Sequence, residues 1–92
     1  MHTSTVHFQL NEACIHLQNL VAELRDGRMQ ADDTPELSVQ LNHVLDHICK
    51  AWNMRDLTPE EEAAISQEEH DRMCNTVPNF NAERIIGEVA CA

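Results

Sequence analysis

Two Thr-Pro-Glu tripeptides, at 34–36 and 58–60, constrain the fold of this chain more than any other feature of its sequence. In each tripeptide the threonine hydroxyl can cap the first turn of a helix, and proline fits the next position because its missing N–H is not needed there. The glutamate then faces the positive end of the helix dipole. Glu61 lies three residues after Thr58 and completes a capping box. The tripeptides therefore predict two helix starts.

Hydrophobic periodicity around these starts predicts an all-α fold, in which a single domain over residues 1–92 forms a small antiparallel helical bundle. Two glycines and three prolines do not give the series of short strands and turns that a β-fold needs. Gly27 is placed to end the first helix, and Pro78 to end the third. We expect three longer helices and a short C-terminal fourth, at about 6–26, 35–54, 59–75 and 81–90.

The core is expected to consist mainly of aliphatic side chains, because the chain has one tryptophan, two phenylalanines and no tyrosine. The first two helices each carry an apolar stripe with helical spacing, and the fourth carries a shorter one. Trp52 is the largest apolar group and is expected to anchor the contact between helices. The predicted core anchors are Leu17, Leu24, Leu41, Leu45, Ile48, Trp52 and Ile85.

A second apolar stripe lies on the side of the first helix opposite its main stripe. Its members recur every seven residues, and the predicted core cannot reach the two large ones. We therefore expect an interface with a second copy of the chain or with a partner protein. The predicted interface residues are Phe8, Ile15, Ala22 and Met29.

The formal net charge is −10 at pH 7, and it is shared evenly between the two halves of the chain. Such a surface repels phosphate backbones, and no basic patch offsets it, so direct binding of nucleic acid is not expected. A basic protein partner is compatible with this charge. The chain could then act as an acidic inhibitor that mimics the charge of a nucleic acid.

His43 and His47 are spaced four residues apart and therefore lie on one side of the second helix. Two imidazoles at this spacing can share a zinc, nickel or copper ion. A third ligand would have to come from another helix, and Glu12 and His16 of the first helix are the candidates. The alternative is that both histidines cover the edge of the core with their ring carbons.

Recognised catalytic patterns are missing from the sequence. It contains no His-Glu-x-x-His, no Glu-x-x-His, no Cys-x-x-Cys and no glycine-rich phosphate loop. His70 and Cys74 are four residues apart, but nothing nearby in the sequence supplies an orienting residue or an oxyanion hole, so their role stays open. We expect a protein that is not an enzyme and holds no cofactor, unless the histidine pair binds a divalent transition metal.

The sequence gives no sign of a membrane or secretory route. It has no basic segment followed by an apolar run at its amino terminus and no apolar stretch of membrane-spanning length, so a cytoplasmic protein with reduced thiols is expected. The preferred function is protein–protein association by a small acidic helical domain, as a dimer or an adaptor. The alternatives are a metal-binding helical bundle that uses the His-x-x-x-His pair, and an acidic inhibitor of a basic protein.

Overall fold

A computed structural model describes residues 1–80, which form a small bundle of helices without strands in that range. The prediction of an all-α bundle is confirmed. None of the described helices combines the length and the apolarity that crossing a bilayer requires. The helix expected at 81–90, with Ile85, lies outside the described residues. The helices are α1 (Thr3–Arg25), α2 (Thr34–Asn53), α3 (Pro59–Ala64) and α4 (Gln67–Asn75).

The connection between α1 and α2 turns the chain back on itself. Gly27 has a φ of 75°, a left-handed conformation that suits glycine after the end of a helix. This conformation lets the backbone N–H of Arg28 donate to the carbonyl of Glu23 at 2.9 Å, which satisfies one of the last carbonyls of α1. The helix therefore ends where the glycine predicts.

The two Thr-Pro-Glu tripeptides differ in the structure. Thr58 caps α3 in a complete capping box. The backbone N–H of Glu61 donates to the Thr58 hydroxyl at 3.1 Å, and the backbone N–H of Thr58 donates to the Glu61 carboxylate at 2.8 Å. Thr34 does not cap α2: the cap position belongs to Asp33, and no side-chain bond caps the helix. The Asp33 carboxylate instead accepts from the backbone N–H of Gln30 at 2.7 Å. Prediction of this cap was therefore wrong.

The helix expected over 59–75 is divided into α3 and α4. Ile65 is extended, with φ −72° and ψ 155°, and Ser66 caps α4 by accepting from the Glu69 N–H at 3.1 Å. A serine followed three residues later by glutamate is itself a helix-start signal. Because no residue of α3 is buried, packing does not hold the two segments in one helix.

α4 packs against α2. The side-chain amide of Asn53, the last residue of α2, donates to the carbonyls of Met73 at 2.7 Å and Thr76 at 2.8 Å. These two bonds tie the end of α4 to the end of α2.

The core of the described part lies mainly between α1 and α2. The helices approach each other through small and polar side chains, among them Ala13, Ala51 and the buried Gln9, because small residues allow close contact. The buried apolar residues are Ala13, Leu20, Met29, Val44, Cys49, Ala51 and Met54.

The structure corrects most of the predicted core anchors. Leu17, Leu24, Leu41 and Leu45 are 45%, 51%, 47% and 38% exposed, because they lie beside the sector where α1 meets α2. Ile48 and Trp52 are half-buried. Trp52 nevertheless makes specific contacts: the ring of Phe80 meets it edge-on at 5.2 Å, and the Arg55 guanidinium lies 3.9 Å from its ring centre.

The predicted second stripe is only partly at the surface. Phe8 and Ile15 are 58% and 42% exposed, and Ala22 is half-buried. Met29 is buried, so its place in a surface interface is wrong. The seven-residue spacing does not extend to Met29, because α1 ends at Arg25 and Met29 lies in the connection that follows.

The α1–α2 hairpin has two flanks of different chemistry, one on each side of the contact between its helices. At 100° per residue, His16 of α1 and His43 and His47 of α2 fall on one side, here called the histidine flank. The other side is called the apolar flank. It consists of Leu10, Leu17, Val21 and Leu24 of α1 and Leu37, Leu41 and Leu45 of α2.

Candidate metal centre

Three histidine rings meet on the histidine flank. The ring centre of His16 lies 4.1 Å from that of His43 and 5.2 Å from that of His47, and the His16 and His47 rings are within 13° of parallel. The rings of His43 and His47 are 5.3 Å apart. Each ring therefore contacts both others, and the cluster joins the two helices.

Antiparallel pairing of α1 with α2 sets this arrangement. Along α1 the cross-helix partners are Gln9, His16 and Glu23, and their contacts on α2 run in the opposite direction, to His47, His43 and Gln40. Because His43 and His47 lie one turn apart on α2, a single residue of α1 at the same level can reach both rings. His16 occupies that level.

The donor atoms are close enough for a shared metal ion. One ring nitrogen from each of His16, His43 and His47 can be chosen so that all three lie within 4.8 Å of one another. A tetrahedral zinc ion with Zn–N distances of about 2.0–2.1 Å separates its nitrogen ligands by about 3.3 Å. Shifts of about 1.5 Å or less, within the reach of side-chain rotation, would therefore close the site around the ion.

Gln9 holds the ring of His47 in place. Its side chain is only 3% exposed, and its amide oxygen lies 2.8 Å from His47 Nδ1. A carbonyl oxygen can only accept, so Nδ1 carries the proton and donates. The neutral ring then has its lone pair on Nε2, and a hydrogen bond of this kind to the second nitrogen is the usual support of a metal-binding histidine.

Burial lowers the pKa of His47 below its ordinary value of 6.5, and electrostatic interactions with Lys50, His16 and His43 lower it further. Glu12 acts in the opposite direction and raises the pKa of His47. The net shift favours the neutral ring at neutral pH. A neutral imidazole is the form that binds a metal ion, so this ring need not lose a proton first.

The cluster opens to solvent on one side. His43 is exposed, while His16 and His47 are half-buried. Beside the rings is a polar groove of about 240 Å3. The side-chain amide of Gln40 lies in the wall of this groove and donates to the carboxylates of Glu23 on α1 and Glu36 on α2, at 3.0 Å in each case. The groove is lined by His16, Asn19, Glu23, Glu36, Val39, Gln40 and His43.

The sequence-based metal hypothesis named four residues, and three of them come together. Glu12 is not among the mutually close donor atoms, and its effect on His47 is electrostatic. Gln9 was missed by the sequence analysis. It lies seven residues before His16 and so shares its side of α1, which is the available signal for a polar residue that supports the histidines. Whether the cluster binds a metal stays a prediction.

The cysteines of the described part do not form a comparable cluster. Cys14 is exposed, Cys49 is buried, and all three described cysteines are free thiols. Cys74 Sγ lies 3.7 Å from His70 Nδ1, as their spacing predicts. Burial is the main cause that raises the pKa of Cys74, so its thiol is not activated as a nucleophile.

Comparison of this chain with protein-family models, with curated proteins and with solved structures finds no match.

Proposed function

We propose that this protein binds a divalent transition metal ion through His16, His43 and His47. The observation that carries the proposal is the convergence of three ring nitrogens, from two helices, within 4.8 Å of one another. The hydrogen bond from His47 to the buried Gln9 supports it, because it leaves Nε2 of that ring free to bind.

Zinc fits this donor set best. Three neutral imidazoles suit zinc, copper and nickel, whereas magnesium and calcium prefer oxygen ligands. Three protein ligands leave one position of a tetrahedral zinc ion for water or for a ligand from solution. The net charge of −10 also favours the approach of a cation.

The test uses the full chain without a histidine tag, with cobalt(II) as a spectroscopic substitute for zinc. Tetrahedral cobalt gives visible absorption bands, and a thiolate ligand adds a charge-transfer band in the near ultraviolet. We expect one equivalent of cobalt to bind with visible bands and without the thiolate band. Zinc should then displace it stoichiometrically, as followed by titration calorimetry.

Single variants separate the cluster from the other histidines. His16→Ala, His43→Ala and His47→Ala should each abolish the visible bands or weaken binding by at least tenfold. His7→Ala serves as the matched control, because His7 is an exposed histidine of α1 outside the cluster. Unchanged affinity in His43→Ala, or a spectrum with thiolate bands, would overturn the proposal.

Thermal unfolding supplies an independent measure. A ligand present at about 100 times its Kd stabilises the folded state by about 2.7 kcal/mol. For a domain of this size that corresponds to a rise in Tm of about 10–20 °C. The rise should be reversed by a chelator and be absent in His47→Ala.

The sequence-based expectations of an adaptor and of an acidic inhibitor remain predictions without a specific site on the described residues. For self-association, the exposed side chains of the apolar flank are a candidate surface, and they lie away from the histidine cluster.

A further inference from the structure

We propose that the apolar flank binds a second copy of this chain, so that two α1–α2 hairpins form a four-helix bundle about a two-fold axis. This inference goes beyond metal binding and uses different residues. It also moves the predicted association surface from the stripe with Phe8 and Ile15 to the other side of α1.

The apolar flank exposes a row of large aliphatic side chains on each of the two helices. Leu10, Leu17, Val21 and Leu24 follow one another along α1, and each is between 45% and 53% exposed. Leu41 and Leu45 continue the surface on α2 at 47% and 38%. Contiguous apolar patches of this kind mark interaction surfaces.

The surface is grooved in the way that helix packing requires. Leu17 and Val21 line an open groove of about 370 Å3 on α1. Leu41 and Leu45 line another of about 400 Å3 on α2. Side chains of a facing helix can enter such grooves as ridges, and this is how helices pack in bundles.

Acidic residues are excluded from the apolar flank, although the chain is strongly acidic. The acids of α1 are Glu12 and Glu23, and those of α2 are Glu36 and Asp46. Each lies about 100° or more around its helix from the nearest residue of the apolar flank. Two copies can therefore meet here without placing the carboxylates of these helices face to face.

The same charge pattern decides between possible occupants. A basic partner would gain its affinity from carboxylates, which this flank does not offer. A second copy brings an identical apolar surface, and an isologous contact matches each leucine-lined groove with side chains of the same kind.

The segment that follows Phe80 is the other occupant to be tested on this flank, and the variants below distinguish it from a second copy. The chain leaves the described part at Phe80, whose ring packs on Trp52 at the end of α2.

Sedimentation equilibrium of the full chain tests the proposal, with a reducing agent and a chelator present so that neither disulfides nor bound metal can join two copies. We expect the mass of two chains for the wild type. Leu17→Glu and Leu41→Glu should weaken the dimer by about 30-fold or more, as central interface residues do, because each places a carboxylate in the contact. Circular dichroism should show that both variants keep their helices, since both positions are exposed within one chain.

Ile15→Glu is the matched control. Ile15 is 42% exposed on the same helix as Leu17, which is 45% exposed, but it lies on the opposite side of α1. The dimer should survive this change. A wild-type mass of one chain would overturn the proposal, and so would loss of the dimer in Ile15→Glu or its persistence in both leucine variants.

A last variant distinguishes a second copy from the chain's own remaining segment. If residues 81–92 covered the flank, the wild type would be a monomer, and Ile85→Glu would lower the free energy of unfolding as much as Leu17→Glu does. That pair of results would overturn the proposal. Cobalt binding by Leu17→Glu should equal that of the wild type, which keeps this test separate from the test of the metal site.

Discussion

The amide oxygen of Gln9 lies 2.8 Å from Nδ1 of His47, across the contact between α1 and α2. Gln9 is one of two buried polar residues in the described part of the chain, the other being Thr5. Thr5 lies one turn earlier in α1 and donates to the carbonyl of Leu57 at 3.0 Å, which ties the start of α1 to the segment before α3. Of the two, Gln9 is the one whose hydrogen bond reaches a side chain of the histidine cluster.

Replacing Gln9 should weaken metal binding without removing a ligand. Gln9→Ala deletes the acceptor for His47 Nδ1, and loss of such support costs about 10–100-fold in metal affinity. Gln9→Glu keeps an acceptor oxygen at the same reach and should restore most of the affinity. Gln18→Ala, an exposed glutamine of α1, is the control. Equal affinities of Gln9→Glu and Gln9→Ala for cobalt would show that the hydrogen bond is not the cause.

The metal-free protein should lose stability in acid because of His47. The pKa of His47 in the folded state lies below 6.5, its ordinary value in the unfolded chain, mainly because of burial. Between these two pKa values the unfolded chain binds more protons than the folded protein does. The free energy of unfolding therefore rises with pH through this window and has its full value above pH 6.5. Urea unfolding at several pH values, with a chelator, should show this slope in the wild type and in His7→Gln.

His47→Gln removes the titrating ring, and its slope over the same window should be smaller. The same slope in His47→Gln as in the wild type would mean that other groups cause the acid sensitivity.

The two Thr-Pro-Glu tripeptides provide a matched pair of caps. Thr58→Ala removes the hydroxyl that accepts from Glu61 and should destabilise α3 by about 1 kcal/mol. Thr34→Ala should cost less, because Asp33 holds the cap position of α2. Amide exchange should therefore accelerate about fivefold in the first turn of α3 in the first variant. If Thr34→Ala accelerated exchange in the first turn of α2 as much as Thr58→Ala does in the first turn of α3, the assignment of the caps would be contradicted.

Asn53 should be the residue whose loss frees α4. Asn53→Ala removes two hydrogen bonds to the carbonyls of Met73 and Thr76, at a cost of about 1–3 kcal/mol. Asn42→Ala, at an exposed position of the same helix, should be nearly neutral. Amide exchange of residues 67–75 measures the effect, and unchanged protection in Asn53→Ala would show that packing alone holds α4.

Local signals in the sequence predicted the two long helices well. The expected bounds of 6–26 and 35–54 differ from Thr3–Arg25 and Thr34–Asn53 by three residues or fewer. Glycine after a helix end and helical apolar spacing are properties of neighbouring residues, so they need no knowledge of the fold. The division between α3 and α4 also had a local signal, because Ser66 is followed three residues later by Glu69. The weak apolar periodicity of this region gave no second indication that two helices are present.

The core could not be predicted in the same way. Periodicity shows which side of a helix is apolar, but it does not show which part of that side meets the neighbouring helix. Here Ala13 and Ala51 are buried at the contact, and Leu17 and Leu41 lie beside it. The histidine cluster has the same dependence: the spacing of His43 and His47 was visible, but the position of His16 opposite them follows from the pairing of α1 with α2.

The placement of the two flanks on opposite sides of one hairpin has a thermodynamic consequence. No residue of the apolar flank belongs to the histidine cluster, so a ligand on one surface has no direct means of changing the affinity of the other. A dimer joined through the apolar flank would carry two metal sites on its outer faces. We therefore expect those sites to fill independently, with a Hill coefficient of about one and a dimer dissociation constant that does not depend on zinc.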